Sequence, residues 1–404
     1  MNNTTTNNTT TNNTTTNNNT TTNNNTATSN TPSGASTVTI VGAGMMGSAL
    51  AFPARENGHA VRIVGTHLDR GIIEGYRKTG KLPKFSRPFP EGVEYYDVED
   101  LERALEGADL LIGGVSSFGV DWFAEKVLPL VPETLPVLSV TKGLIADEKG
   151  VLITYPEYWK RKLAPKKLCL NAVGGPCTSY ELVYKDPTVV SFCGENPGTL
   201  RRLKAIMETD YYNIEITDDV AGVECAVALK NAYALGVAIA VGVNEKVNGN
   251  GIGEALERVR SYAQVGVSDK INQSSVPLHY NSQAGVFGQS CREMQKLLKL
   301  LAGSDRSLHV GIGDLYVTAF SGRTRLLGLL LGLGLTLDEA LRELSGITLE
   351  SNVIIQRMAT TLREMAARGE VDPGEFPLMF RLGEILLDNK TADLPWGSFV
   401  TGTP

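Results

Sequence analysis

One lysine and three glycines carry the first chemical signal in this chain. Lys230 falls in the middle of residues 221–243 (AGVECAVALKNAYALGVAIAVGV), a run apolar enough to form one long buried helix, with Asn231 beside it. An ammonium group in such surroundings is costly unless it is paired or gives up its proton. A lysine kept there points to proton transfer. The glycines are Gly42, Gly44 and Gly47 in the run Gly42-Ala43-Gly44-Met45-Met46-Gly47. They follow a β-branched run, 37–41, and precede a helical pattern that Gly58 closes; a second strand is expected over 60–64. Strand, GxGxxG, helix, strand is the order that lets a backbone turn tightly and meet a pyrophosphate at a helix N-terminus.

Dinucleotide sites of this kind usually carry an acidic residue just after the second strand, where it holds the ribose diol of NAD and repels a 2′-phosphate. Here the chain reads Gly65-Thr66-His67 and then Asp69-Arg70. His67 and Arg70 are candidate partners for the extra phosphate of NADP, and Asp69 is within reach of a ribose. Both NAD and NADP stay open. Taken alone, His67 and Arg70 read as solvated loop residues.

The elements that must position these groups alternate. Strands are expected over 110–115, 136–140, 168–173, 188–193 and 213–217, with amphipathic helical segments such as 98–107 and 197–208 between them. That alternation specifies a mostly parallel, doubly wound α/β sheet, whose ligands sit at the carboxyl ends of the strands. The glycine loop, Phe118, Lys142 and Gly175 share that address. Beyond about residue 218 only helical patterns follow: 221–243, 254–263, 282–302, 326–333, 336–343, 351–368 and 375–387. Thr336-x-x-Glu339 opens one of them as a capping box. The expected division is a dinucleotide-binding domain over 37–218 and an all-helical domain over 219–395.

Composition narrows the class. A chain of 404 residues has room for two or three domains. A net charge of −6 without a Lys/Arg-rich block argues against a nucleic-acid partner. Five cysteines without a CxxC read as reduced thiols of a cytosol-like compartment, and four scattered histidines argue against a metal site. Residues 1–36 are Asn/Thr-rich without one charged side chain, so disorder is expected and they are set apart from the fold. No membrane span is expected either. The 221–243 run holds Glu224 and Lys230, and the apolar stretch at 326–335 has half the needed length.

Several motifs, in order, resemble the NAD(P)-dependent glycerol-3-phosphate dehydrogenase family over residues 37–390. They are Gly42–Gly47, Thr141-Lys142-Gly143, Gly175-Pro176-Cys177 with Glu181, Ala228-Leu229-Lys230-Asn231, and Gly313-Asp314-Leu315 leading to Thr318 and Gly322-Arg323-Thr324-Arg325. The resemblance implies a Rossmann-type sheet domain followed by an all-α domain of the 6-phosphogluconate-dehydrogenase-like kind. It implies a cytoplasmic homodimer working on a phosphorylated small molecule in glycerophospholipid and carbohydrate metabolism, with NAD or NADP. Lys230 would then exchange the proton at the carbonyl being reduced, and Lys142 would hold and polarise the substrate. Gly175, Cys177, Asn231, Asp314, Thr318, Arg323 and Thr324 would complete the substrate pocket. Gly42, Gly44, Met45, Met46, Gly47, His67, Phe118, Ser179, Arg323 and Glu350 would meet the cofactor.

Singly, each residue has a blander reading. Lys142 could be a loop lysine, Arg323 and Arg325 surface charges before a helix, Cys177 a small buried residue, and Asp314 a helix cap. Only their joint order speaks against that. The chain also departs from the family. Thr324 stands where Asn is usual, with shorter reach and a single donor. Cys177 replaces a small polar residue, and Ser116 and Phe118 replace a Pro and a His or aromatic. The segment 244–280 is longer than expected, and reads as a lid, an interface or a plain insertion. Two rival readings therefore stand: a related dehydrogenase of carboxylated 2-keto or 3-hydroxy acids, with Arg323 on the carboxylate, and a catalytically silent NAD(P)H-binding sensor.

Overall fold

The computed structural model describes residues 34–148, 150–265, 273–277, 279–320 and 322–400. Nearly all of the Asn/Thr-rich segment, and part of the long 244–280 segment, lie outside the described residues. Among the described residues ten strands are formed: β1 (Thr37–Val41), β2 (Ala60–Val64), β3 (Val93–Tyr96), β4 (Leu110–Gly113), β5 (Val137–Ser139), β6 (Leu144–Ala146), β7 (Leu152–Thr154), β8 (Leu170–Gly174), β9 (Thr188–Gly194) and β10 (Tyr212–Thr217). Eight of them build one sheet in the order β10-β9-β8-β5-β4-β1-β2-β3. Every pairing in it is parallel except β8 with β9. The strand order reverses between β1 and β4, and a ligand crevice opens at such a switch point.

The alternating strands and helices expected from the sequence are present. Three strands were not anticipated. β3 (VEYY) is an edge strand of polar and aromatic residues, and β6 and β7 form a separate antiparallel hairpin just after Lys142. Their short runs lack the β-branched density that marked the other strands.

The helical half is arranged around one helix, Val220–Val247, of 28 residues. At 1.5 Å per residue it is about 42 Å long. By length and composition it could cross a membrane, but it is sheathed by the helices Tyr280–Ala302, Leu308–Phe320, Arg323–Leu333, Glu350–Ala367 and Pro377–Leu387 and is the core of the fold. An all-round apolar helix calls for that environment. Its first turn is capped by Asp219, which accepts from the Gly222 N–H at 3.1 Å. The Thr336–Glu339 capping box is formed as expected.

Leu308–Phe320 was missed from the sequence because Gly311 and Gly313 lower its helical propensity. Those glycines are there for contact. A Cβ on Gly311 would come within 2.9 Å of Ala226 Cβ and 3.0 Å of Ala226 O. The Arg323–Leu333 helix docks just as closely: a Cβ on Gly328 would sit 2.3 Å from Ala238 Cβ, and one on Gly332 2.4 Å from Ile239 O. Both helices therefore touch the central helix backbone to backbone, and both run parallel to it. Gly174, ending β8, is pressed on Val223 and Val227 in the same way, which joins the sheet to the central helix.

Overpacking a contact of this kind costs about 1–3 kcal/mol, and here it displaces a whole helix. Gly311→Val is expected to lower stability by at least that amount in urea unfolding. Turnover should fall more than stability does, because Asp314 rides on the displaced helix.

Candidate active site

The glycine loop is shaped as a cradle. Gly42 has φ of +112°, a left-handed conformation that favours glycine, and a Cβ there would lie 2.7 Å from Gly114 O. A Cβ on Gly47 would meet Gly42 O at 2.4 Å, so the Met45–Glu56 helix can start only where it does. Gly44, the N-cap, has no side chain to fill the space before the first turn, and a Cβ there would have no neighbour closer than 4.0 Å. The loop is held from behind: Tyr76 Oη donates to Ala43 O at 2.8 Å, and Ser48 Oγ lies 2.9 Å from the same phenol. The N–H groups of the first helical turn have no side-chain cap and lie at a positive helix end, suited to a pyrophosphate. This chain therefore fits a dinucleotide at that loop, with Met45 and Met46 contributing backbone.

Beside the glycine loop, Asp69 turns inward. Its Oδ2 accepts from the Ala43 N–H (3.2 Å), the Thr66 N–H (2.9 Å) and Thr66 Oγ1 (2.8 Å). That carboxylate clamps the β2 turn to the glycine loop, a role not visible in the sequence. Arg70 pairs with Glu99 at 2.5 Å on the surface, and His67 packs against Trp122 with ring centroids 5.5 Å apart. Phe118 stands exposed just beyond β4, and Ser179 opens the Ser179–Tyr184 helix after β8.

At the junction of sheet and helices lie the two lysines. Lys230 is buried on the central helix, and its Nζ donates to Asp314 Oδ1 at 3.0 Å and to Thr318 Oγ1 at 2.7 Å. Asp314 and Thr318 are one turn apart on Leu308–Phe320, so they present one face. Lys142, from the loop between β5 and β6, donates to the other oxygen of the same carboxylate and, at 3.4 Å, to Gly175 O. Asp314 thus holds an ammonium from each half of the fold. Burial pushes Lys230 below the ordinary lysine value; Asp314 pulls it back, and the charge on Lys142 pushes it further down.

Asn231, Glu350 and Lys142 line one narrow gap together with Ser117, Tyr155 and Arg357. Arg357 donates to Leu144 O, tying the β6 hairpin to the Glu350–Ala367 helix. Only its spacing from Glu350, two turns along one helix face, could have marked it in the sequence. Two larger cavities, of about 430 and 680 Å³, hold neither lysine. Size does not locate the chemistry here.

Arg323 opens its helix half-exposed, 4.0 Å from Glu350, with Gly322 as N-cap at φ +84°. The parallel register set by Gly328 and Gly332 places Arg323 at the level of Tyr233, about one turn beyond Lys230. Thr324 is buried at the second helical position. Arg325 is not the surface charge its position suggested. It is buried, donates to Ala319 O at 2.9 Å, and is pulled down to about 10 by burial, with Glu245 opposing that shift and Arg258 adding to it. Cys177, beside Gly175, is pushed up to about 12 by burial, which leaves it an inert thiol near neutral pH. Among the described residues no group of three or more His, Cys, Asp or Glu side chains could hold a metal ion.

Comparison with known proteins identifies the family. Residues 37–199 match the N-terminal part, and residues 219–394 the C-terminal part, of the NAD-dependent glycerol-3-phosphate dehydrogenase family. The NADP(+)-dependent glycerol-3-phosphate dehydrogenase of Archaeoglobus fulgidus is 33% identical over 310 residues, covering 76% of this chain and 83% of that protein. A glycerol-3-phosphate dehydrogenase [NAD(P)+] of Fusobacterium nucleatum is 25% identical over 362 residues, 88% of this chain and 93% of the relative. In fold, the chain resembles the crystal structure of glycerol-3-phosphate dehydrogenase from Coxiella burnetii, with a TM-score of 0.69 and 22% identity over 90% of this chain and 98% of that one. With a glycine cradle at one side of the junction and a carboxylate shared by two lysines at the other, the chain belongs to the NAD-dependent glycerol-3-phosphate dehydrogenase family.

Proposed function

We propose that the enzyme interconverts dihydroxyacetone phosphate and sn-glycerol 3-phosphate, with Lys230 giving and taking the proton at the reacting oxygen. The observation that carries this reading is the Asp314 carboxylate shared between Lys142 and Lys230. It fixes two ammonium groups side by side where a carbonyl oxygen can reach both. Lys142 polarises the carbonyl, and Lys230, loosened by burial, delivers its proton to the developing alkoxide. When bound, the nicotinamide cofactor supplies or accepts the hydride. Asn231, Thr318, Gly175 and Cys177 shape the pocket around the reacting carbon, and Glu350 helps to hold the cofactor against it. Arg323 takes the substrate phosphate at the N-terminus of its helix, where a guanidinium and free N–H groups meet. Thr324, buried in the first turn, contributes its backbone more than its side chain.

The dinucleotide side corresponds to residues 37–218 and the substrate and dimerisation side to 219–395. A homodimer in the cytoplasm is the working form that the family resemblance and the unpaired cysteines support. NADP(H) is accepted at least as well as NAD(H). That reading rests on His67 and Arg70 beside Asp69 after β2 and on the Archaeoglobus relative, which is NADP(+)-dependent.

Lys230→Ala is expected to lower kcat at least about 100-fold, the usual range for losing a general acid–base. In the wild type, oxidation of glycerol 3-phosphate needs the neutral lysine. Its rate should rise with pH along a limb lying below the ordinary lysine range, and Lys230→Ala should lose that limb; a retained limb sinks the assignment. Arg323→Gln should raise KM for dihydroxyacetone phosphate by about 10–100-fold, the worth of a charged hydrogen bond. Dihydroxyacetone turnover should hardly change, whereas a carboxylate-binding role would show up with 2-keto acids instead. Fluorescence titration of the protein should give a Kd for NADPH no larger than that for NADH.

A further inference from the structure

Arg357 has no part in the reaction as set out above, yet it stands at the same junction. It lies on the Glu350–Ala367 helix and lines the narrow gap shared by Lys142, Asn231 and Glu350. Its guanidinium crosses from the helical half to donate to Leu144 O, two residues past Lys142. It also bonds the Tyr155 phenol, which burial pushes up and Arg357 draws back.

Those two contacts bear on one short stretch of backbone. β6 pairs with β7 so that Leu144 faces Thr154, which brings Tyr155 beside Gly143. A Cβ on Gly143 would lie 2.5 Å from Tyr155 Oη, and Tyr155 is itself almost wholly buried. On the other side of Lys142, Thr141 is fixed by the sheet. Its Oγ1 donates to Val115 O at 2.7 Å and its N–H to Ser139 Oγ at 3.3 Å. Lys142 therefore sits between a residue tied to the sheet and a pair, Gly143-Leu144, held by Tyr155 and Arg357. Its Nζ in turn reaches Asp314 and, at 3.4 Å, Gly175 O. The helical half thus grips Lys142 twice, at the tip through Asp314 and at the root through Arg357. A lysine side chain has many rotamers to lose, so a fixed root lowers the cost of keeping its tip in one place.

We propose that Arg357 is a positioning residue for the reaction: by holding Leu144 O from the helical half, it fixes the backbone after Lys142 and keeps that ammonium on Asp314. Arginine suits the task, because its planar fork binds a carbonyl and a phenol oxygen more rigidly than an ammonium would. This rests on the reading of Lys142 as the group that polarises the carbonyl.

Arg357→Met keeps the apolar stem and removes the fork. It should lower kcat/KM for dihydroxyacetone phosphate by about 10- to 100-fold, the scale of a misplacement of about 1 Å. In a Lys142→Ala background the same change should cost less than about twofold, because the group it positions is gone. Equal losses in the two backgrounds, or no loss in the wild type, overturn the proposal. Labelling reads the position of Lys142 without turnover, and decides where Lys142→Ala is too slow to compare. With limiting acetic anhydride and mass spectrometry of the peptides, Arg357→Met should acetylate Lys142 severalfold faster while Lys230 stays protected. Labelling of Lys142 at the wild-type rate overturns the proposal. So does equal deprotection of both lysines, the mark of a fold that has merely loosened. If Arg357→Met does not fold, Arg357→Gln, whose shorter side chain also gives up the fork, takes its place in the same labelling. Failure of the functional reading looks different: the wild type would then not reduce dihydroxyacetone phosphate, while the labelling difference at Lys142 would remain.

Discussion

The site depends on one carboxylate doing two jobs. Asp314 is almost wholly buried, and each of its oxygens holds the ammonium group of a different lysine, one from a sheet loop and one from the central helix. Two like charges brought together in a low-dielectric region repel strongly, and a carboxylate between them offsets that repulsion. With the carboxylate between them they become a preorganised pair, which in the proposed reaction would meet developing negative charge. The sheet, the central helix and the Leu308–Phe320 helix all have to arrive at that point for the pair to exist. Gly174, Gly311 and Gly313, which press on Val223, Ala226 and Pro176 respectively, are what allow them to arrive.

Much of this was legible in the chain itself, for identifiable reasons. The glycine loop could be read because a strand and a helix flank it. The central helix could be read because its apolar run is too long for a strand, and Lys230 because a charge in such a run is conspicuous. What stayed hidden were contacts that only tertiary structure creates. Asp314 gave no local sign of serving two lysines 84 and 172 residues away. Its helix was lost to the very glycines that let it dock. Asp69 was within reach of a ribose by sequence, and its clamp on the glycine loop through Oδ2 gave no sign there. Arg325 looked like an exposed cation and is buried against Ala319.

The far end of the central helix has its own buried ionic arrangement, in which Glu245 receives Arg258 and Asn250 from the segment that follows it. Arg325 feels both charges of that pair. Replacing one member would strand the others in the core, the expensive way to break a buried pair. The helix Ile252–Val265 is therefore anchored to the body that carries Arg323, with Arg258 as the anchor.

The parallel glycine contacts between Val220–Val247 and Arg323–Leu333 have one more consequence. Because Gly328 meets Ala238 and Gly332 meets Ile239 with no side chain between, neither helix can slide along the other. The separation between Lys230 and Arg323 is thereby set by backbone register, as on a ruler with fixed graduations. With the roles proposed above for Lys230 and Arg323, a ligand that spans it must carry its anionic group at one particular distance from its reactive oxygen. Selection by length is thus built into main-chain packing, where point changes in pocket side chains cannot easily adjust it.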